Sequence, residues 1–231
     1  MDAEYGDVSD FEFVDKEIRH GFVRKVYAIL TVQLAITIGI IALFFFVEDI
    51  KSYVQYNTWV FWTAFAVSIV VIIALGCATE LRRRAPLNII CLLIFTLAEG
   101  VLLGVTCTFY DGDEVILAVG MCGIITLGLT IFAFQTKIDF TMMSGLLCAL
   151  GLSLLTFGLF AIIFRSEVLY TFYAALGACL FSLYIVFDTQ LLLGGRHKYS
   201  VSPEEYIFAA LNLYIDIINL FLFLLALFGK K

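Results

Sequence analysis

The sequence predicts an all-α fold, an integral membrane bundle of seven transmembrane helices. Three observations predict it. Of the 231 residues, 62% are hydrophobic, against about 45–50% in a soluble domain. The mean hydropathy is +1.03. The apolar residues fall into seven long runs separated by short polar segments. A run of about 20 residues, rising about 1.5 Å per residue, crosses a hydrocarbon core of roughly 30 Å.

The elements follow in order. Residues 1–15 carry Asp2, Glu4, Asp7, Asp10, Glu12 and Asp15 among few branched aliphatics, the composition of a mobile acidic tail ahead of a transmembrane domain over 16–231. The first apolar run starts too late and the chain does not open on a basic n-region, so the start does not read as a signal peptide. Span one covers about 27–47 and span two about 59–79, with Trp59 and Trp62 as interfacial anchors. Pro86 opens span three, about 87–109, because its missing N–H has no partner in a first turn. Span three holds Glu99 and the pair Gly100 and Gly104, whose spacing favours close helix packing. Spans four to seven cover about 115–135, 143–164, 168–193 and 206–228. Ser202, Pro203 and Glu205 read as the cap, first residue and capping-box partner of the last helix.

Charge excludes several classes. The net charge of −6 sits in loops and tail, and no basic patch interleaves with exposed aromatics, so nucleic acid is not an expected partner. Six cysteines, at 77, 91, 107, 122, 148 and 179, lie within spans without a Cys-x-x-Cys pair, which points to small apolar core residues rather than disulfides or zinc. The two histidines, His20 and His197, sit in loops, so no metallohydrolase is expected and the chain does not read as an enzyme. Ten of the fourteen Lys and Arg residues fall on the N-terminal side of the spans and four on the other. That bias places the N-terminus in the cytosol and the C-terminus in a lumen or outside the cell. The acidic turns after spans one and three then face that second side, where they attract cations.

The chemistry-bearing stretch is 183–221. Spans six and seven each contain one aspartate, Asp188 and Asp216, inside otherwise apolar runs. A carboxylate facing hydrocarbon costs a few kcal/mol or more, so such residues face the interior, find a partner and mark ion or proton paths. Asp188 lies about five to seven residues before the end of span six and Asp216 about ten residues into span seven, which sets them within one or two turns in depth. Asn212, Asp216 and Asn219 form one polar stripe on span seven, and Tyr184 lies one turn from Asp188. Two close carboxyls resist ionising together and share a proton, which suits them to a pH-dependent element.

Five segments carry a resemblance: Arg24 to Leu30, Phe134 to Thr141, Phe187 to Leu192, Ser202 to Tyr206 and Leu213 to Phe221. Together they resemble the transmembrane Bax-inhibitor-motif family, nearest its Lifeguard branch, from about residue 16 onward. The resemblance implies a central helix surrounded by the other six, calcium leak across a cellular membrane, sensitivity to pH and a role restraining cell death. It implies that Asp188 and Asp216 are the pH sensor and the carboxylates a calcium ion would meet, and that Arg82 latches onto them. A carboxylate that a bacterial member carries in span two has no counterpart near Val71, and Glu99 is the candidate replacement. The expected function is a pH-sensitive calcium leak channel. Alternatives are a proton-coupled calcium exchanger, or a non-conducting partner of cell-death membrane proteins; seven spans alone also fit a receptor, but the loops offer no obvious external site. The expected partners are the bilayer, calcium and apoptosis-related membrane proteins, with calcium as transported species and no cofactor. The branch spans Golgi, endoplasmic reticulum, lysosome and plasma membrane.

Overall fold

The computed structural model describes residues 5–194 and 201–229, with side chains from Glu17 onward except those of Thr79, Arg82 and Pro203. The helices are α1 (Tyr5–Phe46), α2 (Glu48–Tyr56), α3 (Trp59–Cys77), α4 (Thr79–Arg83), α5 (Leu87–Cys107), α6 (Gly112–Gln135), α7 (Ser144–Phe164), α8 (Glu167–Leu193) and α9 (Tyr206–Phe228). Short 3-10 turns, Phe140–Met143 and Pro203–Glu205, precede α7 and α9. Seven of the helices are long and apolar enough to cross a membrane, and no strand occurs among the described residues.

The spans match the hydropathy reading with small shifts at their ends. The first differs most, because helical backbone begins at Tyr5 and continues through the acidic segment into α1. Two short helices, α2 and α4, occupy connections that hydropathy does not mark. Glu48 and Asp49 stand in the first turn of α2, where carboxylates complement the helix dipole. Gln55 on α2 donates to the Thr108 carbonyl at 2.7 Å and ties α2 to the end of α5. The acidic turn before α6 is spent locally as a capping box: Glu114 accepts from the Asp111 backbone N–H at 3.2 Å.

Helix α9 is the most buried span. Leu211, Leu213, Tyr214, Asp216, Ile218, Leu220 and Leu225 are all buried on it, over more than half its circumference, as suits a core helix. Helices α1, α5, α6 and α8 pack on it directly, whereas α3 packs mainly on α5 and α7 on α8. The outer helices turn residues such as Trp62, Ile124, Leu155 and Ile162 outward, as lipid contact requires.

Gly100 and Gly104 sit where α5 meets α1. A Cβ on Gly100 would fall 2.6 Å from Ile40 Cδ1, and one on Gly104 would fall 2.9 Å from Phe44 Cγ. Ile40 and Phe44 are one turn apart, so two stacked side chains of α1 fit against two glycines of α5. Gly100→Val should therefore cost about 1–3 kcal/mol by overpacking. Thermal unfolding in detergent checks this against Gly120→Val, where nothing lies within 4 Å of the added Cβ.

The cysteine reading needs correction. Cys107 and Cys122 are buried, but Cys77, Cys148 and Cys179 are exposed on the outer surface. In a membrane protein the outside is as apolar as the core, so hydrophobicity alone does not say which way a small residue faces.

Candidate functional site

Helices α8 and α9 are the most extensively packed pair, and they carry the two aspartates. The Asp188 and Asp216 carboxyls lie close enough to interact directly. Asp216 is buried and Asp188 half-buried. Asp216 Oδ2 receives no hydroxyl or N–H donor among the described residues. A hydrogen bond between two carboxyl groups requires a proton between them. Such a pair changes charge when a proton leaves it.

Tyr184 faces both aspartates closely enough to interact with them electrostatically. Its hydroxyl nevertheless donates to the Leu147 carbonyl at 3.0 Å and so fixes α8 against α7. On α9, Asn219 donates to the Ile215 carbonyl of its own helix at 2.8 Å. That bond stays within the helix, because the i−4 carbonyl is the acceptor nearest a mid-helix amide. Asn212 is half-buried on the same stripe.

The residues after Asp188 do work that hydropathy did not signal. Thr189 shares a 3.3 Å hydrogen bond with the Tyr27 hydroxyl on α1. Gln190 accepts from the Phe140 N–H at 2.7 Å and donates to the Ile138 carbonyl at 2.9 Å. Successive helical residues point about 100° apart, so these three neighbours address α9, α1 and the α6–α7 connection in turn. The connection is further shaped by Asp139, which accepts from the Thr141 N–H at 3.0 Å and from its hydroxyl at 2.6 Å.

The family described as "Inhibitor of apoptosis-promoting Bax1" matches residues 19–231. The chain belongs to the Bax-inhibitor family. It is 44% identical to protein lifeguard 3 of Homo sapiens over 238 residues, covering 100% of this chain and 76% of the relative. Protein lifeguard 3 of Mus musculus is 44% identical over 224 residues, 95% of this chain and 72% of the relative. Protein lifeguard 4 of Mus musculus is 39% identical over 215 residues, 90% and 84%.

In this Bax-inhibitor-family chain a second set of contacts surrounds the same end of the bundle. Arg19 donates to the Val201 carbonyl at 2.8 Å. The Lys25 ammonium stands 3.3 Å over the Tyr206 ring. Arg83 pairs with Glu205 at 2.8 Å. Three cations from α1 and α4 thus hold the segment that leads into α9. The capping-box role expected for Glu205 is corrected accordingly: Ser202 caps the turn by accepting from the Glu204 N–H at 3.4 Å, and Glu205 reaches out to Arg83. The Arg83 side chain is 47% exposed, so Arg83→Ala should cost about 0.5 kcal/mol or less, read as a small shift in thermal unfolding that vanishes in high salt. The side chain of Arg82, the expected latch, lies outside the described residues, as do Arg196, His197 and Lys198.

Glu99 does not join the aspartates. Ser68 on α3 donates to Glu99 Oε1, and neither aspartate is its partner among the described residues. A separate polar group lies between α1, α5 and α9. Gln33 donates to Thr96 at 3.0 Å, and Thr37 and Tyr214 share a 2.7 Å hydrogen bond. All four residues are buried, and Tyr214 lies within electrostatic reach of Glu99. Tyr214 and Asp216, two residues apart, therefore give α9 polar groups toward two different neighbours. Among the described residues no cluster of three His, Cys, Asp or Glu side chains is assembled, so a calcium ion at the pair would rely on two carboxylates plus carbonyl or water oxygens.

Proposed function

We propose that the chain is a calcium-permeable leak pathway of a cellular membrane, governed by the proton shared between Asp188 and Asp216. The observation that carries this reading is the direct approach of the Asp188 and Asp216 carboxyls to each other between α8 and α9 inside the bundle. With the proton in place, the two helices are joined at that depth. When it leaves, two like charges face each other and the α8–α9 seam loses its bond. Arg82 is assigned the compensating role: a guanidinium next to the ionised pair favours the deprotonated arrangement and joins the end of α4 to it. Asp188 and Asp216 also supply oxygen ligands that draw calcium toward the seam, and Glu99 with Tyr214 provides a further polar station for a cation. Through the calcium content of its compartment, the protein would restrain apoptosis, in line with the family's description as an inhibitor of apoptosis-promoting Bax1. The orientation follows the cation bias: Arg19, Lys25 and Arg83 all gather at one end of the bundle, which is assigned to the cytosol.

The deciding experiment is calcium flux in proteoliposomes of the purified chain. A leak channel dissipates an imposed calcium gradient and does not move calcium uphill on an imposed pH gradient. Uphill movement would replace the channel by a proton-coupled exchanger working through the same aspartates. Absence of flux at every pH would leave only a non-conducting partner of membrane proteins in cell death.

A further inference from the structure

At the end of the bundle opposite the aspartate pair, α7, α8 and α9 enclose a cavity of about 810 Å³. Its origin is in the packing. Helix α7 is held mainly by α8, and Gly158 draws the two together: a Cβ there would lie 2.9 Å from the Tyr173 ring. Tyr173 packs edge-on to Phe223 at 5.3 Å between ring centroids, and the space between α7 and the last turns of α9 stays open.

The cavity has two chemically distinct parts. Leu155, Leu159 and Ile162 of α7 and Leu227 of α9 supply apolar wall. The rim belongs to the α7–α8 connection: Arg165, Ser166 and Glu167, with Tyr170 one turn into α8. Arg165 ends α7 in the left-handed region at φ 48°, which is costly for a residue bearing a Cβ. Neither Arg165 nor Glu167 forms an ion pair among the described residues. Tyr170 is hydrogen-bonded to Tyr110, whose phenol burial pushes up to about 12, with Tyr170 adding to the effect. The Tyr110 phenol therefore stays neutral. The helix ends place this rim at the membrane interface and the apolar wall about one to three turns deeper, in the hydrocarbon.

We propose that this cavity is a binding site for one zwitterionic phospholipid: an acyl chain lies between α7 and α9, the phosphate meets Arg165, and the headgroup ammonium meets Glu167 and the Tyr170 ring. The charges argue for that class. An anionic headgroup would satisfy Arg165 but place its surplus charge beside Glu167, whereas a phosphocholine or phosphoethanolamine headgroup supplies both counter-charges. Quaternary ammonium groups are also favoured beside tyrosine faces. The proposal stands independently of calcium conduction.

The test is photolabelling with a phosphatidylcholine that carries a diazirine on its acyl chain, doped into phosphatidylglycerol vesicles holding the full chain, with labelled peptides mapped by mass spectrometry. Labelling should concentrate on 155–162 and 226–227 and fall on addition of unlabelled phosphatidylcholine, while labelling of the outer helix α3 does not. Arg165→Gly keeps the left-handed helix end and removes the charge; Glu167→Gln removes the opposite one. Each should lower the selective labelling by roughly fivefold, the value of one exposed charge contact, with thermal unfolding unchanged or, for Arg165→Gly, raised. Labelling spread evenly over all outward-facing helices, equal competition by a matched anionic lipid, or retention of the selective signal in both variants would overturn the assignment.

Discussion

Asp188→Asn and Asp216→Asn, singly or together, should abolish the pH dependence of calcium flux through reconstituted protein. Asparagine preserves the size of the side chain and permanently supplies an N–H donor where the carboxyl pair holds an exchangeable proton. Either single variant therefore fixes α8 to α9 in the arrangement that the protonated pair adopts. One proton taken up or released between two gate states changes their ratio by at most about tenfold per pH unit, because one proton is worth about 1.4 kcal/mol per unit. The wild-type profile should approach that slope over the interval in which the shared proton leaves, and each variant should be flat there. Flux measured at a series of pH values on both faces of the vesicle reads this directly. A wild-type profile surviving in both single variants would remove the pair from the mechanism while leaving conduction itself untouched.

Gln190→Leu should produce the largest loss of stability among single changes near the pair. The substitution leaves the Phe140 N–H and the Ile138 carbonyl without the partners they have at 2.7 and 2.9 Å. The Gln190 side chain is fully buried, so water does not replace it readily. Each backbone group left unsatisfied costs about 1–3 kcal/mol, and the sum for the two should lower the unfolding temperature in detergent by roughly 4–24 °C for a chain of this length. Thr189→Val is the internal control. It removes one 3.3 Å bond to Tyr27 and should cost about 1 kcal/mol. An equal or reversed ranking would mean that the α6–α7 connection does not depend on Gln190. The prediction bears on function as well, because Gln190 follows Asp188 by two residues and its loss frees the helix end that positions the carboxyl.

These two neighbours mark the boundary of what pattern reading reaches. Asp188 stands out in sequence because a carboxyl inside an apolar run has few acceptable explanations. Gln190 and Thr189 are uncharged and sit near a helix end, so nothing in hydropathy separates them from residues at a lipid headgroup. Only the arrival of Ile138, Phe140 and Tyr27 makes them structural. Glu99 shows the converse. Its charge flagged it, but Ser68 on α3 takes it up, and no spacing along the chain relates residue 68 to residue 99. Glu205 likewise had the correct spacing for a cap, and the capping alternative lost to an Arg83 brought close by α4.

What the sequence determined by itself was the number of spans, the limits of six of them within a few residues, the polar identity of the two aspartates and the family. Those follow from composition and period along one chain, because a bilayer forces each apolar run of sufficient length into a self-satisfied helix. What only the tertiary structure decided was which helix is central, which faces of the outer helices meet lipid, and which partner each polar side chain finds. Lipid and protein interior are equally apolar, so the run of hydrophobic residues does not distinguish them; the distinction comes from which helices approach, as where Gly100 and Gly104 admit Ile40 and Phe44.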